Sequence, residues 1–483
     1  MAIRHNISNS SAGLNRKYNV LQVGIQWWNT WQAQSVNRRI FSALMTVGGM
    51  TILAKIASAV KDVVVAYQFG AGDELDAFLM AFLIPSFAIN LVGGSLNAAL
   101  IPTYIQVRKQ EGMAAAGDLY ASVLLGSFFL LSVVSIILFA AGPFLLRLVA
   151  AEFSEEKLAL TGSLYNILLP CVLLSGLATT WGAILNAHER FSLAAIAPAV
   201  MAIVTILVLL VFNRTVSIYA LAIGVVAGMV CYAVLLGWGV AREGLRFLPG
   251  WSGVTPALKT VWYQYTPMLA GAVLIGSTEV VGQIMAASLG SGSVSILSYG
   301  NKIPMLLLGI GSMAASTAVL PYFSEMVAAG QWDEIRHTLL TYARLIAAVT
   351  IPLTVALVAF SEPIIEVLFQ RGAFTDAHTR EVAWVQSLAL LQVAPFALGV
   401  LAVRLLSSLK ANHILMWSSA ISLVLTIILN YLFMQPLGVA GIALATSLMY
   451  VVSMCFLYVM VFRLLRSMGA GVSLCRASPR GQY

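Results

Sequence analysis

Charge is what this sequence has least of. Only 10% of its 483 residues are Asp, Glu, Lys or Arg, against about a quarter in a soluble domain. That scarcity excludes an ordinary soluble globular protein. Cysteine is scarce too: Cys171, Cys231 and Cys455 fall in apolar runs and Cys475 lies near the end. None has metal-ligand spacing, which excludes a disulfide framework and a structural zinc site. Phosphate-binding GxxxxGK[ST], HExxH and GxSxG patterns are missing, so the expectation is no enzyme, no catalytic or metal residues and no cofactor. The first 40 residues contain no acid, and no apolar stretch follows their early basic cluster. A cleavable signal peptide is therefore not expected.

What is there instead is apolar length. The chain is 60% hydrophobic with a mean hydropathy of +0.90, and its runs are long enough for about 30 Å of hydrocarbon. Twelve spans are expected, at 41–69, 75–107, 118–141, 158–185, 191–212, 217–241, 258–288, 293–324, 337–360, 378–407, 412–434 and 438–465. The second and eighth exceed what a bilayer needs and contain prolines, so Pro85 and Pro304 are candidate kinks. Trp27, Trp28 and Trp31 suit an interfacial segment or an unstructured leader. The formal charge of +8 is topology information rather than a sign of nucleic acid. Lys and Arg gather on the side of the N-terminus: Arg108, Lys109, Arg190, Arg242, Arg246, Lys259, Arg336, Arg344, Lys410, Arg463, Arg466. The other side holds only Arg147, Lys157, Arg214, Arg371 and Arg380. Both termini are thus expected in the cytoplasm.

The halves of the chain resemble each other at offsets of 219 to 225 residues. Gly70-Ala71-Gly72 matches Gly290-Ser291-Gly292, Pro85 matches Pro304, Pro102 matches Pro321, Phe153-Ser154-Glu155 matches Phe374-Thr375-Asp376, and Pro170 matches Pro395. Six spans per half is an even number, so the repeat is parallel about an axis along the membrane normal. The expected division is a basic leader at 1–40, an N-lobe at 41–250, a C-lobe at 251–466 and a basic tail at 467–483. Pro143–Val149 and Pro363–Phe369 read as short interfacial helices, and Ser154 and Thr375 as N-caps preceding acids.

Charges inside the spans are few and so informative. A charge near a bilayer centre costs roughly 2.5–3.5 kcal/mol on insertion scales and usually faces a bundle interior or a watery cavity. The first span carries Lys55, Lys61 and Asp62, the seventh Glu279 and the eighth Lys302. Lys55 and Asp62 lie two helical turns apart on one face. The arrangement reads either as a charged wall for an anionic substrate or as buried pairs that lock packing. In the repeat frame Glu279 falls near the depth of Lys61, which suggests a salt bridge across a central cleft. Gly70 and Gly72 frame the turn between spans one and two as a candidate hinge. Asp76 follows Asp73 in the first turn of the second span, where helix capping alone would explain an acid.

Four stretches carry a family resemblance: FGAGDELDAFLMAFLIP (69–85), LNAHERFSLAAIAP (185–198), GSGSVSILSYGNKIP (290–304) and FQRGAFT (369–375). They resemble the MurJ/MviN family of the multidrug/oligosaccharidyl-lipid/polysaccharide exporter superfamily, over roughly residues 41 to 465. The resemblance implies an all-α polytopic fold of two six-helix lobes, V-shaped and MATE-like, in the bacterial inner membrane. It implies a flippase for an undecaprenyl-pyrophosphate-linked glycan, typically lipid II, working by alternating access. Lys55, Lys61, Asp62, Asp76 and Lys302 then become cavity charges. The chain departs from the family pattern with Ile89 and Asn90 where arginines are usual, with Gly93-Gly94-Ser95, and with twelve spans rather than fourteen. Exopolysaccharide or O-antigen repeat units on the same carrier are the competing substrates. A MATE-like cation antiporter and a non-transporting scaffold are the other readings; three lysines against Asp62 and Glu279 favour an anion. The expected partners are the lipid-linked oligosaccharide, membrane lipids and a coupling ion or membrane potential, with no nucleic acid.

Overall fold

The computed structural model describes residues 36–245, 250–251 and 253–477. The leader before residue 36, with its three tryptophans, Arg246 and the end of the tail lie outside them. Within them the chain is helical. The first half folds as α1 (Val36–Phe69), α2 (Asp73–Gln110), α3 (Met113–Val149), α4 (Glu155–Leu168), α5 (Pro170–Ala187), α6 (Phe191–Val216) and α7 (Tyr219–Arg242). The second folds as α8 (Pro256–Ala287), α9 (Ser293–Gly300), α10 (Lys302–Ala328), α11 (Trp332–Ala359), α12 (Ser361–Phe369), α13 (Asp376–Leu390), α14 (Val393–Ser408), α15 (Asn412–Leu437) and α16 (Val439–Ala477). Among the described residues eleven helices are long and apolar enough to cross a membrane. The expected first span, α1, is not among these eleven; it is a 34-residue helix that carries Lys55, Lys61 and Asp62 and packs along α6.

Proline sets several of the breaks. Pro170 opens α5 directly after α4, and their counterparts α13 and α14 also divide one span in two. Pro304 lacks the N–H that would bond the Gly300 carbonyl, and the eighth span breaks there, at Asn301. Pro85 and Pro102 instead sit inside a helix that continues through both. Two expected boundaries move. Pro143–Val149 is the end of α3 rather than a separate interfacial helix, whereas its counterpart Ser361–Phe369 is separate as expected. The last span runs on to Ala477, into the expected tail. The Ser154 hydroxyl accepts from the Lys157 N–H at 3.3 Å. Thr375 makes a capping box in which its N–H donates to His378 Nδ1 at 3.3 Å.

The apolar cores reveal the architecture. One cluster draws on both halves at the end where α1 meets α2: Ala66, Leu75 and Met80 pack with Ile296, Phe374, Val382 and Ala440. At the other end there are two separate clusters. One joins Leu100, Tyr104, Leu124, Ile184 and Leu236; the other joins Phe323, Leu339, Leu405 and Val461. A core fused at one end and split at the other makes a V. The start of α8 belongs to the first half's core through Leu258, Val261 and Tyr265, although its sequence position assigns it to the C-lobe. Farther along, α8 packs on α15. The helix thus ties one arm to the other along α2, where Phe87 lies so close that a Cβ on Gly276 would meet it at 2.8 Å. The opposite seam is different. Among the described residues α1 and α10 form no packed seam and meet at one ion pair, Asp62 with Lys302.

At the split end a polar cluster holds the first arm together. Tyr104 Oη lies 2.8 Å from His188 Nε2, His188 Nδ1 lies 3.6 Å from Glu243, and Arg190 donates to Glu243 at 2.7 Å. Burial, with Arg108 nearby, holds the His188 pKa below the usual histidine value against the pull of Glu243. The unfolded chain therefore binds a proton that the folded one resists, so stability falls as pH drops through the unfolded pKa near about 6.5. The thermal midpoint in detergent should decrease between pH 7.5 and 5.5. His188→Gln should lessen that decrease; an unchanged pH dependence would show that His188 is not its source.

Candidate functional site

The cleft's charges converge on Asp62. Lys61 Nζ reaches one carboxylate oxygen at 3.2 Å and Lys302 Nζ the other at 2.9 Å, with the Asp62 side chain 16% exposed. Lys61 and Asp62 are chain neighbours on α1, while Lys302 opens α10, beyond the break that Pro304 sets. The break therefore aims an ammonium from one arm at a carboxylate of the other. Lys55 is not part of this trio. It lies about 9 Å along the axis from Lys61. It and Lys61 line a cavity of about 440 Å³ with Thr51, Ser58, Ala195 and Pro198. Small side chains on α1 and α6 make the room. Two lysines share one carboxylate and Lys55 adds a third cation farther along α1, so this side of the cleft is cationic and suited to a phosphate-bearing ligand.

Glu279 does not join them. The expected salt bridge with Lys61 is absent among the described residues; Lys61 pairs instead with its chain neighbour Asp62, which Lys302 also reaches from the other arm. Glu279 instead lines a separate cavity of about 440 Å³ with Asn90, Gln283, Asn301, Thr426, Thr446 and other residues. The repeat frame gave its depth but not the face of α8 that it occupies.

Asp76 proves to be more than a cap of its own helix. It is fully buried and reaches the other half of the molecule. One oxygen accepts from the Gly292 N–H at 2.7 Å, the other from the Ser295 N–H at 2.8 Å and from the Ser295 hydroxyl. It thus caps α9, whose orphan N–H groups and dipole favour an anion. Lys157 Nζ adds a bond at 3.1 Å. The repeat hid this contact in plain view: Ser295 lies 219 residues after Asp76, the repeat offset itself. The two matching turns face each other, and a Cβ on Gly292 would meet the Ala71 carbonyl oxygen at 2.8 Å. Lys157, Gly292 and Ser295 were not named as site residues by sequence: Gly292 entered as a repeat mark, Lys157 as an outer-side cation and Ser295 only within a quoted stretch.

A second closure adjoins the first. The Ala373 N–H donates to the Tyr67 carbonyl at 2.9 Å, joining the FQRGAFT loop to the end of α1. Phe369, Phe374 and Tyr299 pack behind it in tilted and edge-to-face pairs with centroids 5.1 to 5.8 Å apart. Backbone meets backbone here, so side chains are excluded. Gly372 (φ +60°) would place a Cβ 2.3 Å from the Tyr67 carbonyl oxygen, and Gly70 (φ +59°) one 2.4 Å from that of Ala373. Gly72 does not behave as a hinge glycine: its φ of −149° is open to any residue and a Cβ there meets nothing. Gly70→Ala or Gly372→Ala should each destabilise the closed end by about 1–3 kcal/mol, and Gly72→Ala should not. Thermal midpoints of the three variants in detergent check this; equal effects would refute the close-approach reading.

Comparisons with known proteins follow the same lines. The family model described as "Lipid II flippase MurJ" matches residues 65–475. The "Probable lipid II flippase MurJ" of Vibrio cholerae is 26% identical over 442 residues, covering 88% of this chain and 83% of the relative. "Lipid II flippase MurJ" of Burkholderia cenocepacia is 26% identical over 449 residues, covering 89% and 84%. Among solved structures, "Lipid II flippase MurJ, inward closed conformation" superposes with a TM-score of 0.73 at 21% identity, covering 91% and 94%. An inward-facing MATE family transporter of the MOP superfamily gives 0.75 at 12%, covering 87% and 96%. At these identities the structures establish the fold.

Proposed function

We propose, for a chain that belongs to the lipid II flippase MurJ family, that it moves lipid II across the bacterial inner membrane by alternating access. The observation that carries the mechanism is the fused-and-split core. The fused end holds a cross-arm cap at Asp76 and the Tyr67–Ala373 bond; the split end opens onto the lysine-lined site. The distribution of Lys and Arg supports placing the fused end in the periplasm and both termini in the cytoplasm. The form described here is then open to the side where the lipid-linked precursor is made.

Lys55, Lys61 and Lys302 hold the pyrophosphate in this reading. Asp62 takes up Lys61 and Lys302 in the absence of substrate, so no ammonium of that pair is stranded in an apolar setting. A phosphate displaces the carboxylate from one or both lysines. The lipid tail leaves through the seam between α1 and α10, which has only the Asp62–Lys302 pair to part; the α2–α8 seam, packed along its length, is the hinge side. The domain division serves this reading as an N-lobe and a C-lobe joined through α8. Energy comes from a coupling ion or the membrane potential, a charge crossing the field gaining about 2.3 kcal/mol per 100 mV. Glu279 and the oxygens around it suit a hard cation or a proton.

Lys55→Gln and Lys302→Gln should each abolish complementation of a flippase-depleted strain at wild-type protein levels. Removing a charge from the membrane relieves an insertion cost, so poor expression is not expected to confuse the result. If both variants still complement, the lysines do not hold the substrate. Accumulation of an exopolysaccharide or O-antigen intermediate, rather than lipid II, on depletion of this protein would reassign the substrate. Glu279→Gln should leave lipid II binding intact and remove the dependence of transport on the ion gradient; retained dependence would exclude Glu279 from coupling.

A further inference from the structure

Lys157 stands where the closed end is decided. It lies in the first turn of α4, on the same arm as Asp76. Its ammonium donates to Asp73 at 2.5 Å and to Asp76 at 3.1 Å, and sits 4.0 Å from the centroid of the Phe153 ring. Its side chain is 10% exposed. Every one of these partners belongs to the first half of the chain. The other three donors to Asp76, the Gly292 N–H, the Ser295 N–H and the Ser295 hydroxyl, all belong to the second half.

The donors of Asp76 are thus divided by origin. When the fused end parts, the three from α9 leave with the other arm and the ammonium stays. We propose that Lys157 is a positioning residue that carries the Asp76 charge through the open state and thereby sets the balance between closed and open gates. This rests on the reading of Asp76 as the latch of alternating access. With the gate closed, loss of Lys157 leaves the carboxylate three donors. With the gate open, the same loss leaves only water at the mouth of an apolar crevice. The two states lose unequally, and the open one loses more. Asp73 and Phe153 keep the ammonium in place during the exchange, so it need not be recruited from solvent. A lysine that merely pinned α4 to α2 would support both states alike.

The test reads the gate directly. Thr215→Cys and Glu381→Cys place spin labels on exposed positions of the two arms at the fused end. They are carried in a full-length chain with Cys171, Cys231, Cys455 and Cys475 replaced by alanine and reconstituted in nanodiscs. Pulsed dipolar spectroscopy then gives the ratio of long to short inter-arm distances. Asp76→Asn, which loses the anion that caps α9, should raise that ratio. Lys157→Gln should lower it by at least about fivefold, and Lys157→Arg should restore it. In an Asp76→Asn background, where no carboxylate is left to strand, Lys157→Gln should change nothing; that double variant also serves if the single one folds poorly. An unchanged ratio in Lys157→Gln, or an equal fall in the double variant, overturns the role of Lys157 while leaving the latch in place. A ratio indifferent to Asp76→Asn overturns the latch itself.

Discussion

A buried carboxylate must find donors, and the rest of this molecule is arranged around where Asp76 finds them. Its two oxygens take up the free N–H groups at the start of a helix from the other half of the chain. An anion at a helix N-terminus is favourable through both the hydrogen bonds and the dipole. Such a contact is also reversible. It has no interdigitated side chains to withdraw, and a capped helix end can exchange its anion for water. That property suits a joint that must part on each cycle. The apolar cluster around it supplies adhesion, and the glycine-to-carbonyl approaches at Gly70 and Gly372 fix the register at which it closes.

The second constraint is electrostatic and lies deeper. A cationic cleft for an anionic substrate must survive being empty. Asp62 solves this by sharing one carboxylate between Lys61 of its own helix and Lys302 of the opposite arm. The pair to Lys302 is also the contact that joins α1 and α10 across an otherwise unpacked seam. In the mechanism proposed above, substrate binding and opening of that seam draw on the same interaction: a phosphate that took Lys302 from Asp62 would unfasten the arms there. Lys55, with no such partner among the described residues, presents its charge to the cavity. On that proposal the two lysines have different tasks, Lys55 as standing attraction and Lys302 as exchangeable clasp.

Much of this was legible in the sequence. Long apolar runs are unambiguous, and the punctuated repeat gave two halves related in parallel because glycine, proline and capping residues mark backbone geometry rather than mere greasiness. Ser154 and Thr375 were readable for the same reason, since capping is a local interaction. Intramembrane charge pointed to Lys55, Lys61, Asp62 and Lys302. Partner choice was less legible. Which acid meets Lys302 depends on the rotation of α8 and α10 about their axes, and no single-helix pattern fixes that; Glu279 at the right depth faced another cavity. The packing of the start of α8 with the first half was not legible, because a core is shared in space and Leu258 and Tyr265 carry no mark of which arm they join.

The latch shows what the repeat conceals. Matching segments of a duplicated chain meet about the pseudo-twofold axis, so their positions are drawn together while their residues need not stay alike. At the turn after Gly72 the first half has acids at Asp73, Glu74 and Asp76, where the run after Gly292, Ser293-Val294-Ser295-Ile296, has none. Symmetric acids there would repel each other, and symmetric serines would leave nothing to hold. Divergence of one copy toward acceptor and the other toward donor turns a symmetric contact into a complementary one. It also makes the halves unequal: the half bearing Asp76 retains a buried charge when the arms part, and must therefore supply its own cation. Lys157 occupies that place, whereas Arg380 at the equivalent end of the second half pairs with Asp376 on its own helix at 2.7 Å. The cation is needed where the acceptor lies, and only there.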